Sequence, residues 1–158
     1  MLELIARRPQ TDVREILDEA ELDLEAGLVG DNWSTRGSGS TADGSADPNR
    51  QLTIMNARAI ALVAQEKERW PLAGDQLFID LDLSTSNVPP GTRLALGSAV
   101  IEVTAPPHTG CKKFSARFGL EALKFISSPE GQQLQLRGVN AKVVQPGLIR
   151  VGDMARKM

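Results

Sequence analysis

Gly91-Thr92-Arg93-Leu94-Ala95-Leu96-Gly97-Ser98-Ala99-Val100-Ile101-Glu102-Val103-Thr104 runs directly into Ala105-Pro106-Pro107-His108-Thr109-Gly110-Cys111-Lys112-Lys113-Phe114. The first part reads as two short strands, Thr92–Leu96 and Ala99–Thr104. Gly97-Ser98 between them suits a two-residue hairpin connection. The second part reads as a proline-rich loop that delivers the only cysteine of the chain. Upstream, Val88-Pro89-Pro90-Gly91 is strong turn punctuation.

Working outward, more short strands are expected at residues 2–5, at Gln51–Met55, at Ala141–Val144 and at Leu148–Val151. Leu77, Ile79, Leu81 and Leu83 alternate with Phe78, Asp80 and Asp82, which places the leucines and isoleucine inward and the two aspartates on the wet face. Asp12 with Glu15 has capping-box spacing, and a short acidic helix from Asp12 to Leu22 is expected. Asn56 caps a second helix over ARAIALVAQEKERW, closed by Pro71 and Gly74. A third lies within Ser115–Ser127. The stretch 34–50 holds no large apolar side chain and reads as a mobile loop. No βαβ rhythm is evident. The tally of six or seven short strands and about three α-helices predicts a mostly β fold, antiparallel and barrel-like. A length of 158 residues suits a single domain over residues 1–158, and 41% hydrophobic residues favour a packed core over disorder.

Composition excludes several function classes. One cysteine and one histidine rule out multi-cysteine and His-rich metal sites within the chain. A net charge of −2 argues against a nucleic-acid binder. No apolar run approaches the roughly 18–20 residues that span a bilayer, so no membrane association is expected. No signal segment is visible, and a cytoplasmic protein is expected. No flavin, haem or pyridoxal-phosphate motif occurs. Charge is nevertheless polarised: residues 1–31 carry nine acids and three bases, whereas residues 111–158 carry three acids and nine bases. Cys111 opens the basic third. Lys112 and Lys113 follow it, and Arg117 lies one or two turns on if a helix starts here. Cations and a helix N-terminus both favour a thiolate, which attacks sulfur donors, carries a persulfide and binds soft metals. The competing reading is a cysteine that is merely a small buried hydrophobe. His108, three residues before Cys111, is a base or donor, or a plain exposed imidazole. Asn87 and the Gly74-Asp75 pair read first as turn formers. Arg50 is an anion-contact candidate.

The run Gly91–Phe114 resembles the core of MOSC domains, the C-terminal module of molybdenum cofactor sulfurases. Arg50-Gln51-Leu52-Thr53 resembles an upstream strand of that family, and Ser86-Asn87-Val88 its Glu-Asn-Leu segment. Arg137-Gly138-Val139-Asn140-Ala141 and Gly147-Leu148-Ile149-Arg150-Val151-Gly152-Asp153 resemble its closing motifs. The likeness covers residues 25–155. It implies a β-barrel-like fold and a working cysteine, Cys111, as persulfide carrier or molybdenum ligand. It further implies a molybdenum cofactor held with the help of Arg50, Asn87, His108, Lys112, Lys113 and Arg117. The implied partners are a cysteine desulfurase or other sulfur donor, and an electron-transfer protein if the chain is instead a molybdenum-dependent oxidoreductase reducing N-hydroxylated compounds. A non-catalytic interaction module is the third alternative.

Overall fold

A computed structural model describes residues 1–158. The hairpin at the heart of the sequence forms as expected. β7 (Arg93–Leu96) pairs antiparallel with β8 (Ala99–Pro107), Leu96 opposite Ala99. β8 then pairs with β9 (Val139–Gln145), and β9 with β5 (Leu52–Asn56). The remaining strands of this sheet are β6 (Leu77–Ile79), β1 (Leu2–Arg7), β2 (Glu15–Leu17) and β11 (Arg156–Lys157). The sheet is open and eight-stranded, in the order β11-β7-β8-β9-β5-β6-β1-β2. A second sheet joins β3 (Glu19–Asp23) to β10 (Gly147–Arg150) and β4 (Gly27–Leu28). Ala20, Leu22, Leu28 and Ile149 of this small sheet share one hydrophobic core with Leu2, Ile54, Leu77, Leu96 and Ile101 of the large one.

Several expectations are corrected. The large sheet does not close into a barrel, because β2 and β11 end it unpaired with one another. There are five α-helices rather than about three: α1 (Trp33–Arg36), α2 (Ala57–Ala64), α3 (Lys112–Phe118), α4 (Leu120–Ser127) and α5 (Pro129–Gln133), besides two 3-10 segments at Pro48–Arg50 and Lys67–Ala73. The fold is thus mixed α/β around a mostly antiparallel sheet. It contains one βαβ unit, since β5 and β6 run parallel on either side of α2, with Ile54 opposite Leu77. A lone parallel pair leaves no rhythm in the sequence, which is why the hairpins dominated the reading.

That crossover also explains the buried Phe78. Helix α2 and the following 3-10 segment cover the second face of β1, β5 and β6, where Leu4, Met55 and Phe78 meet Ile60, Ala64 and Trp70 in a second core. Asn56 caps α2 by accepting from the backbone of Arg58 and Ala59. The helix stops at Ala64 instead of running on to Trp70, because Gln65 adopts φ +66°. The helix expected over Asp12–Leu22 is two strands. Asp12 sits at φ +62°, outside any helix start, and burial along β3 alternates with period two through Ala20 and Leu22. The helix expected within Ser115–Ser127 is broken in two at Gly119, whose φ of +97° a side chain would strain. Residues 37–47 form turns tied by local bonds, among them Ser40 Oγ to Asp47 and Thr41 Oγ1 to the Ser45 carbonyl.

Candidate functional site

Cys111 is the N-cap residue of α3, and it is exposed. This overturns the reading of it as a buried hydrophobe. Its position is fixed from both sides by one buried ion network. Three residues before it, His108 Nε2 lies 2.5 Å from Asp75 Oδ1. Three residues after it, the buried Phe114 ring lies 5.2 Å from the guanidinium of Arg137. Arg137 in turn donates to Asp75 Oδ2 at 2.6 Å and to the Ala73 carbonyl at 2.9 Å. One carboxylate therefore anchors both flanks of the cysteine. Gly110 lets the loop lie against α4, because a Cβ there would meet Ile126 Cδ1 at 2.9 Å.

Burial would raise the Asp75 carboxyl, but the Arg137 charge, with the hydrogen bonds from Arg137 and His108, prevails and holds it below the ordinary carboxylate value. For His108, burial outweighs Asp75 and lowers the imidazole from 6.5, with Arg137 pushing the same way. Because Arg137 already neutralises Asp75, His108 is a neutral ring donating Nε2–H to the carboxylate. Its Nδ1 lone pair is left free to accept a proton. Asp75 is thus not a turn residue but the centre of the site, and His108 is half-buried rather than an exposed imidazole.

Cys111 and His108 open onto a cleft of about 240 Å³. Arg8, Arg14, Arg36, Lys113 and Arg117 line it, with Asp12 as the one acidic member of the lining. None of these five cations forms an ion pair; His108 and Arg137, which also line the cleft, are the members of the lining that do, both with Asp75. Arg14 and Arg117 donate to the carbonyls of Val13 and Leu72, and Arg36 donates to the amide oxygen of Asn32. Asp31, behind the cleft, spends its oxygens on the backbone N–H groups of Arg8 and Trp33 and on Gln76. The buried Nε atoms of Arg8, Arg14 and Arg137 have no acceptor. Burial, with the nearby charges of Arg8 and Arg117, pushes the Arg14 guanidinium below its ordinary 12.5. Arg36 is lowered in the same direction by burial and by Arg8. Positive charge thus accumulates around the thiol, offset only in part by Asp12 and Asp31.

Of the residues singled out in the sequence, Cys111, His108, Lys113 and Arg117 meet in this cleft. Arg50 lies beside it, lining a smaller cavity shared with His108 and Arg36 and paired with Asp47 at 3.5 Å. Lys112 points elsewhere along α3 and is not part of the lining. Asn87 stands in its turn, donating to the Asp82 carbonyl at 2.7 Å and accepting from Lys157 through its own carbonyl. Sequence reasoning missed Asp75, Arg137, Arg8, Arg14 and Arg36 as site residues. Arg137 carried a usable signal, an arginine beside Gly138 and ahead of an apolar strand, but nothing local marked the other three arginines. No group of three or more His, Cys, Asp or Glu side chains is placed to hold a metal ion, and no helix is long and apolar enough to cross a membrane.

A family model, MOSC domain, matches residues 41–156. No curated protein sequence matches the chain. Among solved structures, YiiM from Escherichia coli superposes with a TM-score of 0.61 at 20% identity, covering 99% of this chain and 69% of that one. The YUAD protein from Bacillus subtilis gives 0.62 at 18% identity, with 96% and 91% covered. YiiM from Geobacillus stearothermophilus gives 0.65 at 12% identity, with 100% and 75% covered.

Proposed function

Since the chain belongs to the MOSC domain family, we propose that it is a sulfur carrier working through a persulfide on Cys111. The observation that carries this reading is an exposed thiol at the mouth of a cleft in which five of the six lining arginines and lysines have no carboxylate partner. As a thiolate, Cys111 Sγ attacks the outer sulfur of a donor persulfide. A new S–S bond forms at Cys111, the donor's S–S bond breaks, and the donor leaves as a thiolate. His108 lines the same cleft, with its Nδ1 free to serve as a base there. Asp75 keeps the ring in that tautomer, and Arg137 keeps Asp75 ionised. The surrounding cations stabilise the anionic persulfide until it is passed on.

Intact-mass spectrometry after incubation with a cysteine desulfurase and cysteine tests this. The protein gains about 32 Da, one sulfur atom, and a reductant removes it. The Cys111→Ser protein gains nothing. A wild-type protein that takes up sulfur neither from this donor nor from a small-molecule sulfur donor refutes the reading.

The family is associated with the molybdenum cofactor, and a second reading is that the same cleft binds it. The orphaned Nε atoms of Arg8, Arg14 and Arg137 favour a ligand with anionic oxygens, so the lining fits the phosphate end of such a group. Arg8, Arg14, Arg36, Lys113 and Arg117 would hold that end, and Cys111 would be the metal ligand. When bound, the cofactor supplies a metal centre for atom transfer. Metal and pterin analysis of protein expressed in a molybdenum-replete host decides this reading. Stoichiometric molybdenum that is lost in Cys111→Ser supports it, and its absence from the wild type rejects it.

A further inference from the structure

The cleft is small and its charge is excessive for a neutral guest. Its volume of about 240 Å³ lies below the roughly 300–1,000 Å³ of sites that enclose drug-sized ligands. Lys113 and Arg117 stand at i and i+4 on α3, a spacing at which like charges destabilise a helix. Arg8, Arg14 and Arg36 face them from the opposite side and likewise lack carboxylate partners. Such a cluster is relieved by a compact ligand with several anionic oxygens, held through charge-assisted hydrogen bonds. Arg8, Arg14 and Arg36 also precede the segment matched by the family model, which starts at residue 41.

We propose that the cleft recognises a sulfur oxyanion that carries a transferable sulfur, of the thiosulfate class, and that Cys111 takes that sulfur directly from it. This rests on the carrier reading above and names its small-molecule donor. Cys111, as a thiolate, attacks the outer sulfur of thiosulfate. The Cys111 S–S bond forms, the S–S bond of thiosulfate breaks, and its electron pair leaves with sulfite. Total charge is −3 on both sides, and no oxidant or reductant is needed. The arginines hold the three oxygens in the ground state and stabilise the second negative charge as it gathers on the departing sulfite.

The test loads the purified full-length protein with sodium thiosulfate and reads intact mass and released sulfite together. The expected result is a gain of about 32 Da with one sulfite per protein, inhibited by millimolar sulfate and slowed by added salt. The Arg14→Gln and Arg36→Gln proteins lose about tenfold each in loading rate at low thiosulfate, and Arg→Lys at the same positions restores part of it. Circular dichroism melts confirm that the variants fold. Loading from a desulfurase but not from thiosulfate overturns the oxyanion donor and leaves the carrier role standing. Loading from neither donor overturns both. Equal thiosulfate loading by wild type and both Gln variants shows a reactive thiol without oxyanion recognition, and also overturns the proposal.

Discussion

On one wall of the cleft, His108, Cys111, Lys113 and Arg117 fall within ten consecutive positions; on the other, Arg8, Arg14 and Arg36 are spread over the end of β1, the loop before β2 and the end of α1. The first wall is fixed by side chains, through the Asp75–Arg137 pair beneath it. The second is fixed by backbone: Asn32 N donates to the Arg8 carbonyl, and Arg8 N to Asp31, each at 2.7 Å. On the proposed function, the contiguous wall holds the reacting atom and the dispersed wall supplies charge. Chemistry and recognition are thus separable, and changes in the two walls should fail differently.

The largest effect belongs to the reacting atom. Cys111→Ser should abolish sulfur uptake from every donor, read as the complete loss of the mass gain. Next is the support beneath it. Arg137→Met leaves the buried Asp75 without its cation and should cost about 3–5 kcal/mol, measured by urea unfolding. Adding Asp75→Asn should recover part of that loss, because the buried charge is then gone. A smaller effect is pH-dependent. Folded His108 binds its proton less readily than the unfolded ordinary value of 6.5, so the unfolded state takes up a proton first as pH falls. Stability is full above that value and declines as pH drops below it, and the His108→Gln protein should show a shallower decline over the same interval. Asp75 adds a second loss of the same sign, beginning near 3.8, because the unfolded carboxyl is protonated before the folded one. The smallest effect is on the contiguous segment itself: Lys112→Gln, on α3 but outside the cleft lining, should leave sulfur uptake within twofold of wild type. A large loss there would erase the distinction between lining and bystander cations.

What could be read from the chain follows the same division. The hairpin at Gly97-Ser98, the strand before Asn56 and the loop that presents Cys111 are local patterns, and all three form. Lys113 and Arg117 were legible because four residues on a helix share a face. The acidic segment after Asp12 was misread because Val13, Ile16 and Leu17 also fit a helical period, while the deciding facts were tertiary. Ala20 and Leu22 find their core only when β3 pairs with β10, more than a hundred residues away. Arg8, Arg14 and Arg36 were invisible for the same reason. Asp75 looked like a turn residue because Gly74 precedes it, and its two partners lie 33 and 62 residues on.

The pairing of Glu19–Asp23 with Gly147–Arg150 has a consequence for how the molecule is made. Leu2 N donates to the Asp153 carbonyl, and Gly152 N to the Leu2 carbonyl, so the first strand is also stitched to residues 152–153, some 150 positions later in the chain. A nascent chain therefore carries Cys111 out of the ribosome before the arginine-bearing segment can dock opposite it. Until Arg150 and Asp153 emerge, the arginine-bearing segment lacks these partners, and the cleft around the thiol is completed only after that stretch has been translated.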